Sequence, residues 1–149
     1  SPDGLRQGEE NRDSCVLRIS DGQHALLLTG DLPVEEERRL LRTMAGTSAL
    51  QAQWLVSGHH GSRHSSSASF IRAVSPEQVI HSSGYANRWG FPHPEVVARF
   101  AASRQWNTAR DGMVRISVVP EGVRLQGYRQ RLAWYRDLDA WLGRGEPVE

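Results

Sequence analysis

The amino-acid sequence predicts an α/β fold, a layered arrangement of strands and helices within one domain. Short apolar runs of strand length alternate with segments of helical periodicity along the chain. This alternation is typical of a sheet flanked by helices. No linker-like segment divides the 149 residues. We expect residues 1–13 to form a flexible lead-in, residues 14–142 the domain and residues 143–149 a tail.

The first predicted unit is a hairpin followed by a helix. Alternating apolar residues predict a strand over 14–20 and indicate that Cys15 is buried in it. Asp21-Gly22 predicts a two-residue turn, and residues 24–30 predict a partner strand that is apolar enough to lie centrally in a sheet. After Pro33, acidic residues come early and basic residues late, an order that complements the helix macrodipole.

The later elements continue the alternation. Gly46 is expected to end the first helix, and a loop dense in glycine and aromatic residues spans 84–92. We expect further strands at 53–58 and 78–83, helices at 67–74, 94–104 and 132–142, an extended segment at 107–111, and a hairpin formed by 113–119 and 123–129.

The composition excludes some classes of protein and leaves others open. No run of about 18 apolar residues occurs, so the sequence predicts no membrane span within this chain. All 18 basic residues are arginine, which a GC-rich genome explains at least as well as phosphate binding does, and the net charge of +1 does not decide the matter. The single cysteine excludes an internal disulfide. Because the chain begins at Ser1-Pro2, we interpret it as a piece or processed product of a longer protein.

Metal-ligating residue types follow two of the predicted buried strands. Asp31 comes after the apolar residues 26–28, and His59 and His60 come after the apolar residues 54–56. Carboxylate oxygens and imidazole nitrogens brought together from strand ends suit a hard or borderline divalent cation. Each signal also has an ordinary structural explanation. Asp31 can cap the next helix, and the two histidines can be one packed and one exposed residue.

A run of serines follows the histidines. Ser62, Ser65 and Ser66 are candidates for contacting a phosphate near the start of a helix. The same run is equally compatible with a solvated loop that ends in a helix cap. The sequence leaves both interpretations open.

The aromatic loop carries a second group of candidate substrate contacts. Asn87 and Arg88, with Tyr85 nearby, form a plausible set for contacting phosphates or bases. His93 stands where the next helix begins, and is a ligand, a substrate contact or an ordinary residue before a helix. His81 lies within a predicted strand, so we expect it to be a hydrogen-bonded residue of the sheet.

Taken together in this order, these segments resemble the second half of the metallo-β-lactamase-like domain of ComEC, the membrane channel for DNA uptake. The resemblance covers about residues 11–118. Its specificity comes from the combination of His59-His60-Gly61-Ser62, the serine run at 65–67 and the Asn-x-x-Gly-x-Pro loop at 87–92, followed by Arg110-Asp111-Gly112.

The resemblance implies a fold and an activity. The fold would be the C-terminal half of an αββα sandwich with a mixed sheet and flanking helices. Asp31 would be the bridging carboxylate, and His59 rather than His60 the late ligand, of a site for Zn²⁺ or Mn²⁺. Such a site activates water against phosphodiesters. The implied function is hydrolysis of one DNA strand while the other strand enters the cell.

The chain departs from the family pattern in two places. The His-x-His-x-Asp-His cluster, which belongs to the first half of the domain, does not occur, and Phe91 stands where family members often carry histidine. We therefore expect the isolated chain to be inactive. Its partners would be single-stranded DNA, the remainder of the parent membrane protein and, through an exposed apolar face, a second copy of itself. By resemblance, the domain would lie on the outer face of the inner membrane.

Two other functions are compatible with the same residues. A non-catalytic DNA-handling or assembly module would use Arg63, Arg72 and Arg88 to contact phosphates without chemistry. A metallo-hydrolase of the same superfamily that acts on small esters would need a pocket rather than an open groove.

Overall fold

The computed structural model describes residues 10–119 and 122–128. They form a five-stranded sheet in the order β1-β2-β3-β4-β5 and a separate two-stranded sheet of β6 and β7. The strands are β1 Leu17–Ser20, β2 Ala25–Leu28, β3 Trp54–Val56, β4 Gln78–His81, β5 Arg104–Asn107, β6 Val114–Val119 and β7 Gly122–Gly127. The helices are α1 Val34–Thr43, α2 Ala68–Val74, α3 Pro94–Arg99 and α4 Thr108–Asp111, with short 3-10 turns at Glu10–Asp13 and Gly58–Gly61.

The main sheet is mixed. β1 runs antiparallel to β2, and the strands from β2 to β5 are parallel to one another. Since parallel neighbours need a crossover connection, a helix stands between each pair, with α1, α2 and α3 in turn. The predicted α/β class, with a mixed sheet and flanking helices, is therefore confirmed.

The hydrophobic core lies between one face of this sheet and the helices. Leu27, Leu55 and Val79 are in register across β2, β3 and β4 and are at most 1% exposed. Phe70 of α2 and Val96 of α3 join them in one cluster of buried side chains. Burial of each large apolar side chain contributes roughly 1.5–3 kcal/mol, so this layer holds the strand ends in place.

Strand β1 corrects one prediction. Cys15 is exposed rather than buried, and Leu17 and Ile19 are each 52% exposed. The residues of β1 that pair with the core-facing Leu27 and Ala25 are the polar Arg18 and Ser20. The predicted alternation is present, but its apolar side lies on the face that the helices do not cover.

The segment around residues 94–111 also differs from the prediction. Helix α3 ends at Arg99, and residues 104–107 form β5, whose first backbone N–H donates to the Glu77 carbonyl at 2.8 Å. The stretch predicted as extended contains helix α4, which Asn107 caps by accepting from the Ala109 N–H at 2.8 Å. Pairing with β4 overrides the helical periodicity of the sequence here.

Other predicted elements lie close to where they were expected. The hairpin of β6 and β7 is confirmed. The turn after β1 spans residues 21–24 rather than two residues, since Ser20 pairs with Ala25. The helix predicted at 132–142 lies outside the described residues. Among residues 10–119 and 122–128, we find no helix whose length and apolarity would let it cross a membrane.

Candidate functional site

A cavity of about 620 Å³ lies where β2, β3 and β4 end. Ligands of parallel α/β sheets bind outside the carboxyl ends of the strands, and this cavity occupies that position. Its volume is within the roughly 300–1,000 Å³ typical of small-molecule sites. The lining residues are Asp31, His59, His60, Ser62, His64, Ser82, Ser83, Gly84, Asn87, Trp89 and Phe91.

Asp31 and His60 face each other in this cavity. The Asp31 Oδ1 atom lies 3.6 Å from the His60 Nε2 atom. On its other side, the His60 Nδ1 atom donates to the Ser82 carbonyl at 2.7 Å. Because Nδ1 carries the hydrogen, a neutral His60 turns the lone pair of Nε2 towards the carboxylate. A histidine held in this way by a backbone carbonyl is the usual arrangement of a metal-ligating imidazole.

The spacing of these two atoms fits one shared cation. Nitrogen and oxygen ligands about 2.0–2.2 Å from a tetrahedral ion lie roughly 3.4 Å apart, which is close to the observed 3.6 Å. In the part of the chain that the structure describes, no group of three or more His, Cys, Asp and Glu side chains is close enough to hold a metal ion. The spacing of Asp31 and His60 is thus compatible with a shared cation, and metal binding by these residues stays a prediction.

The turn that carries the histidines has an unusual backbone. His59, His60 and Gly61 all have positive φ angles, of 49°, 58° and 87°. A non-glycine residue held in the left-handed region costs roughly 1–3 kcal/mol, and such residues cluster at functional sites. The turn is fixed from both sides, since the His59 N–H donates to the Gly30 carbonyl at 2.9 Å and the His93 N–H donates to the Gly61 carbonyl at 2.8 Å.

His59 lies beside His60 but is oriented differently. Its ring meets the Phe91 ring edge to face at 5.9 Å and the His60 ring at 6.2 Å. The resemblance favoured His59 as the ligand, whereas the geometry places His60 against Asp31. The structure thus brings all three predicted metal-ligating residues to one cavity.

The aromatic loop at 84–92 is held together by Asn87. The Asn87 side-chain amide donates to the carbonyls of Gly84 and Phe91 at 3.0 and 2.8 Å, and its oxygen accepts from the Phe91 N–H at 2.8 Å. Arg88 is exposed, with its guanidinium 4.5 Å from the centre of the Trp89 ring. Asn87 therefore organises the loop, and its role as a substrate contact stays a prediction.

Ser65 and Ser66 lie in the interior rather than in the cavity. Both are at most 1% exposed, and neither is among the described residues that line the cavity. The Ser65 hydroxyl donates to the carbonyls of Gly58 and Ser62 at 2.6 and 2.9 Å. Of the three serines predicted to contact substrate, only Ser62 lines the cavity.

Glu37, which is not among the predicted site residues, anchors the serine run. Its side chain is 1% exposed and accepts from the backbone N–H groups of Ser66 and Ser67, the latter at 2.8 Å. A signal was present, because Glu37 lies three and four residues before Leu40 and Leu41, on the apolar side of α1. A carboxylate on that side of a helix needs buried partners.

The two remaining histidines of interest have structural partners. The His93 Nδ1 atom accepts from the Glu95 N–H at 3.3 Å and so caps α3. His81 is 1% exposed, as expected for a residue inside the sheet. Its Nε2 donates to the Gln105 Oε1 atom at 3.1 Å, and its Nδ1 accepts from the Ser57 hydroxyl at 2.9 Å. Burial lowers the pKa of His81 below its usual 6.5, so the ring is neutral near pH 7.

Comparison with known proteins identifies several relatives. No protein-family profile matches the chain. The chain is 36% identical over 138 residues to Recombination protein 2 of Haemophilus influenzae, with 91% of this chain covered. It is 40% identical over 130 residues to Competence protein ComA of Neisseria gonorrhoeae, with 86% covered, and 34% identical over 97 residues to ComE operon protein 3 of Bacillus subtilis, with 65% covered. The chain spans only 17%, 18% and 12% of the lengths of these three relatives.

Proposed function

The chain belongs to the family of ComEC-type competence proteins, and we propose that it is the C-terminal half of a metallo-β-lactamase-like domain that hydrolyses one DNA strand during transformation. The observation that carries this proposal is the opposition of Asp31 and His60 at the ends of two parallel strands, with His60 oriented by the Ser82 carbonyl. A donor pair built in this way supports a metal site more strongly than it supports a structural ion pair, since both side chains remain about half exposed.

The residues of this chain would divide the work as follows. Asp31 and His60 hold a Zn²⁺ or Mn²⁺ ion, with His59 as a neighbouring candidate ligand. When bound, the ion supplies a water of lowered pKa and positive charge against the phosphate. Ser82 keeps the His60 hydrogen on Nδ1 and therefore keeps Nε2 available as a donor. Ser62, which also lines this cavity, would contact a phosphate oxygen through its hydroxyl.

The surroundings of the domain form part of the same proposal. The described residues would be a domain of a membrane protein on the outer face of the inner membrane, and the partners would be single-stranded DNA and the rest of that protein. The uncovered side of β1, with Leu17 and Ile19, supports contact with the rest of the protein or, in the isolated chain, with a second copy.

The test compares this chain with a version extended N-terminally to include the His-x-His-x-Asp-His segment. We expect the extended protein to bind metal stoichiometrically and to cut DNA, and the isolated chain to do neither, because two or three ligands hold a labile metal weakly. Within the extended protein, Asp31→Asn and His60→Gln should lower metal content and activity, each by at least about tenfold.

Matched controls lie at the opposite end of the sheet. Glu77 and His24 are a carboxylate and an imidazole that border a separate cavity there, so Glu77→Gln and His24→Gln should leave metal content and activity unchanged. The proposal fails if Asp31→Asn and His60→Gln both retain the activity of the unsubstituted protein. His59→Gln in the same series decides which histidine contributes more.

A second candidate function is supported by the exposed Arg88–Trp89 pair. A non-catalytic DNA-handling module would use this pair to bind single-stranded DNA without a metal. Binding that persists in EDTA and weakens steeply with salt, in an extended protein that never cuts DNA, would favour this function over hydrolysis.

A further inference from the structure

We infer that Trp89 is the residue on which this site stacks a nucleobase, and that it thereby selects an unpaired strand. The inference rests on the proposed function, since it names the substrate contact of the same cavity. Trp89 is 62% exposed although it is the largest apolar side chain of its loop. It is not a member of the hydrophobic core cluster.

The indole is presented as a flat surface. The Trp89 and Phe91 rings are nearly parallel, with an angle of 13° between their planes and 6.3 Å between their centres. The Arg88 guanidinium lies 4.5 Å from the centre of the Trp89 ring. An exposed aromatic ring with an arginine beside it combines a surface on which a base can stack with a positive charge for the phosphate.

The aromatic rings connect this surface to the proposed metal site. Trp89 packs on Phe91, Phe91 meets the ring of His59 at 5.9 Å, and His59 adjoins His60. Trp89 lines the same cavity as Asp31. A base stacked on Trp89 would therefore bring its own phosphate to the side of the cavity where Asp31 and His60 face each other.

The chemistry of stacking explains why the strand must be unpaired. Inside a duplex both faces of each base are covered by neighbouring base pairs, so an indole can reach only a base that is single-stranded or extruded. The loop is prepared for this contact, because the three hydrogen bonds of Asn87 hold its two ends together. Little conformational entropy is then lost when the base binds.

The test measures DNA binding by the complete 149-residue chain in EDTA, so that its outcome does not depend on catalysis. The probe is a fluorescein-labelled oligothymidylate about 12 nucleotides long, and binding is followed by anisotropy. We expect Trp89→Ala to weaken binding by about 10-fold, within the roughly 5- to 150-fold range for the loss of one stacked base. Trp89→Phe, which keeps a ring at the position, should stay within about 3-fold of the unsubstituted chain.

Two further probes distinguish stacking from charge. An abasic oligonucleotide of equal length should bind the Trp89→Ala variant and the unsubstituted chain equally, and a duplex should be insensitive to the substitution. The matched control is Tyr128→Ala, which should leave binding unchanged. It removes an aromatic side chain of similar exposure just after β7.

Three results would overturn the inference. They are single-strand binding that survives Trp89→Ala, an equal loss on the abasic probe, and no detectable binding of oligothymidylate by the unsubstituted chain. Failure of the proposed function would give a different result: the extended protein would not cut DNA, and the Trp89-dependent binding would persist.

Discussion

Replacement of Glu37 by alanine should destabilise the fold more than replacement of any other charged residue in α1. Glu37 is buried and accepts from the backbone N–H groups of Ser66 and Ser67. Without the carboxylate, the buried Ser66 donor and the partly buried Ser67 donor lose their partner, at a cost of about 1–3 kcal/mol each. Since the substitution also removes a buried carboxylate, whose desolvation was unfavourable, we take the lower part of the sum and expect a loss of roughly 2–4 kcal/mol.

The assay is urea unfolding followed by circular dichroism, with Glu35→Ala as the matched control. Glu35 lies in the same turn of α1 but is exposed, so its replacement should change the free energy of unfolding by less than about 0.5 kcal/mol. Glu37→Gln keeps one acceptor oxygen and should fall between the two. If Glu37→Ala unfolds at the same urea concentration as Glu35→Ala, the anchoring role of Glu37 is refuted.

Three further predictions concern the surroundings of the histidine turn. Burial lowers the pKa of His81, so the unfolded chain binds more protons than the folded chain below pH 6.5. The free energy of unfolding of the unsubstituted chain should therefore decline as the pH falls from about 7 to 5. Urea unfolding at each pH should show a smaller decline for His81→Gln. Gly61→Ala should lower the thermal midpoint in calorimetry, because a Cβ atom there would lie 2.5 Å from the Pro92 Cβ atom and the φ of 87° disfavours alanine; an unchanged midpoint would contradict this contact. Phe91→His should raise the affinity of the extended protein for Zn²⁺ by about tenfold in a competition titration, because it sets a third imidazole beside His59. Phe91→Leu is the control and should leave the affinity unchanged. Equal affinities for the two variants would show that position 91 does not reach the metal.

The parts of the site that could be predicted from the sequence are those set by local patterns. Asp31 and the histidine pair follow short apolar runs, and parallel strands bring their carboxyl ends to one edge of a sheet. The choice between His59 and His60 could not be predicted in the same way. It depends on left-handed backbone angles and on the Ser82 carbonyl, which belongs to a different strand end.

The errors in the fold prediction have a similar origin. The alternation in β1 was recognised, but the face that helices cover depends on how β1 pairs with β2, and Cys15 was placed on the wrong side. The boundary between α3 and β5 depends on pairing with β4. The serine run is compatible in sequence with a solvated loop or a substrate contact, whereas in the fold a buried carboxylate of α1 binds its backbone. Each miss reflects a contact between two different elements of the fold, which a local pattern does not reveal.

The strand order of the main sheet affects how the chain reaches its fold. Each strand pairs with its immediate predecessor and successor in the sequence, so every strand emerging from a ribosome finds its partner already made. Contacts between elements close in sequence favour fast folding. At one end of this order lies β1, an edge strand of the five-stranded sheet whose apolar side chains Leu17 and Ile19 are about half exposed. An exposed edge of this kind is where wrong pairing with another chain is most to be expected.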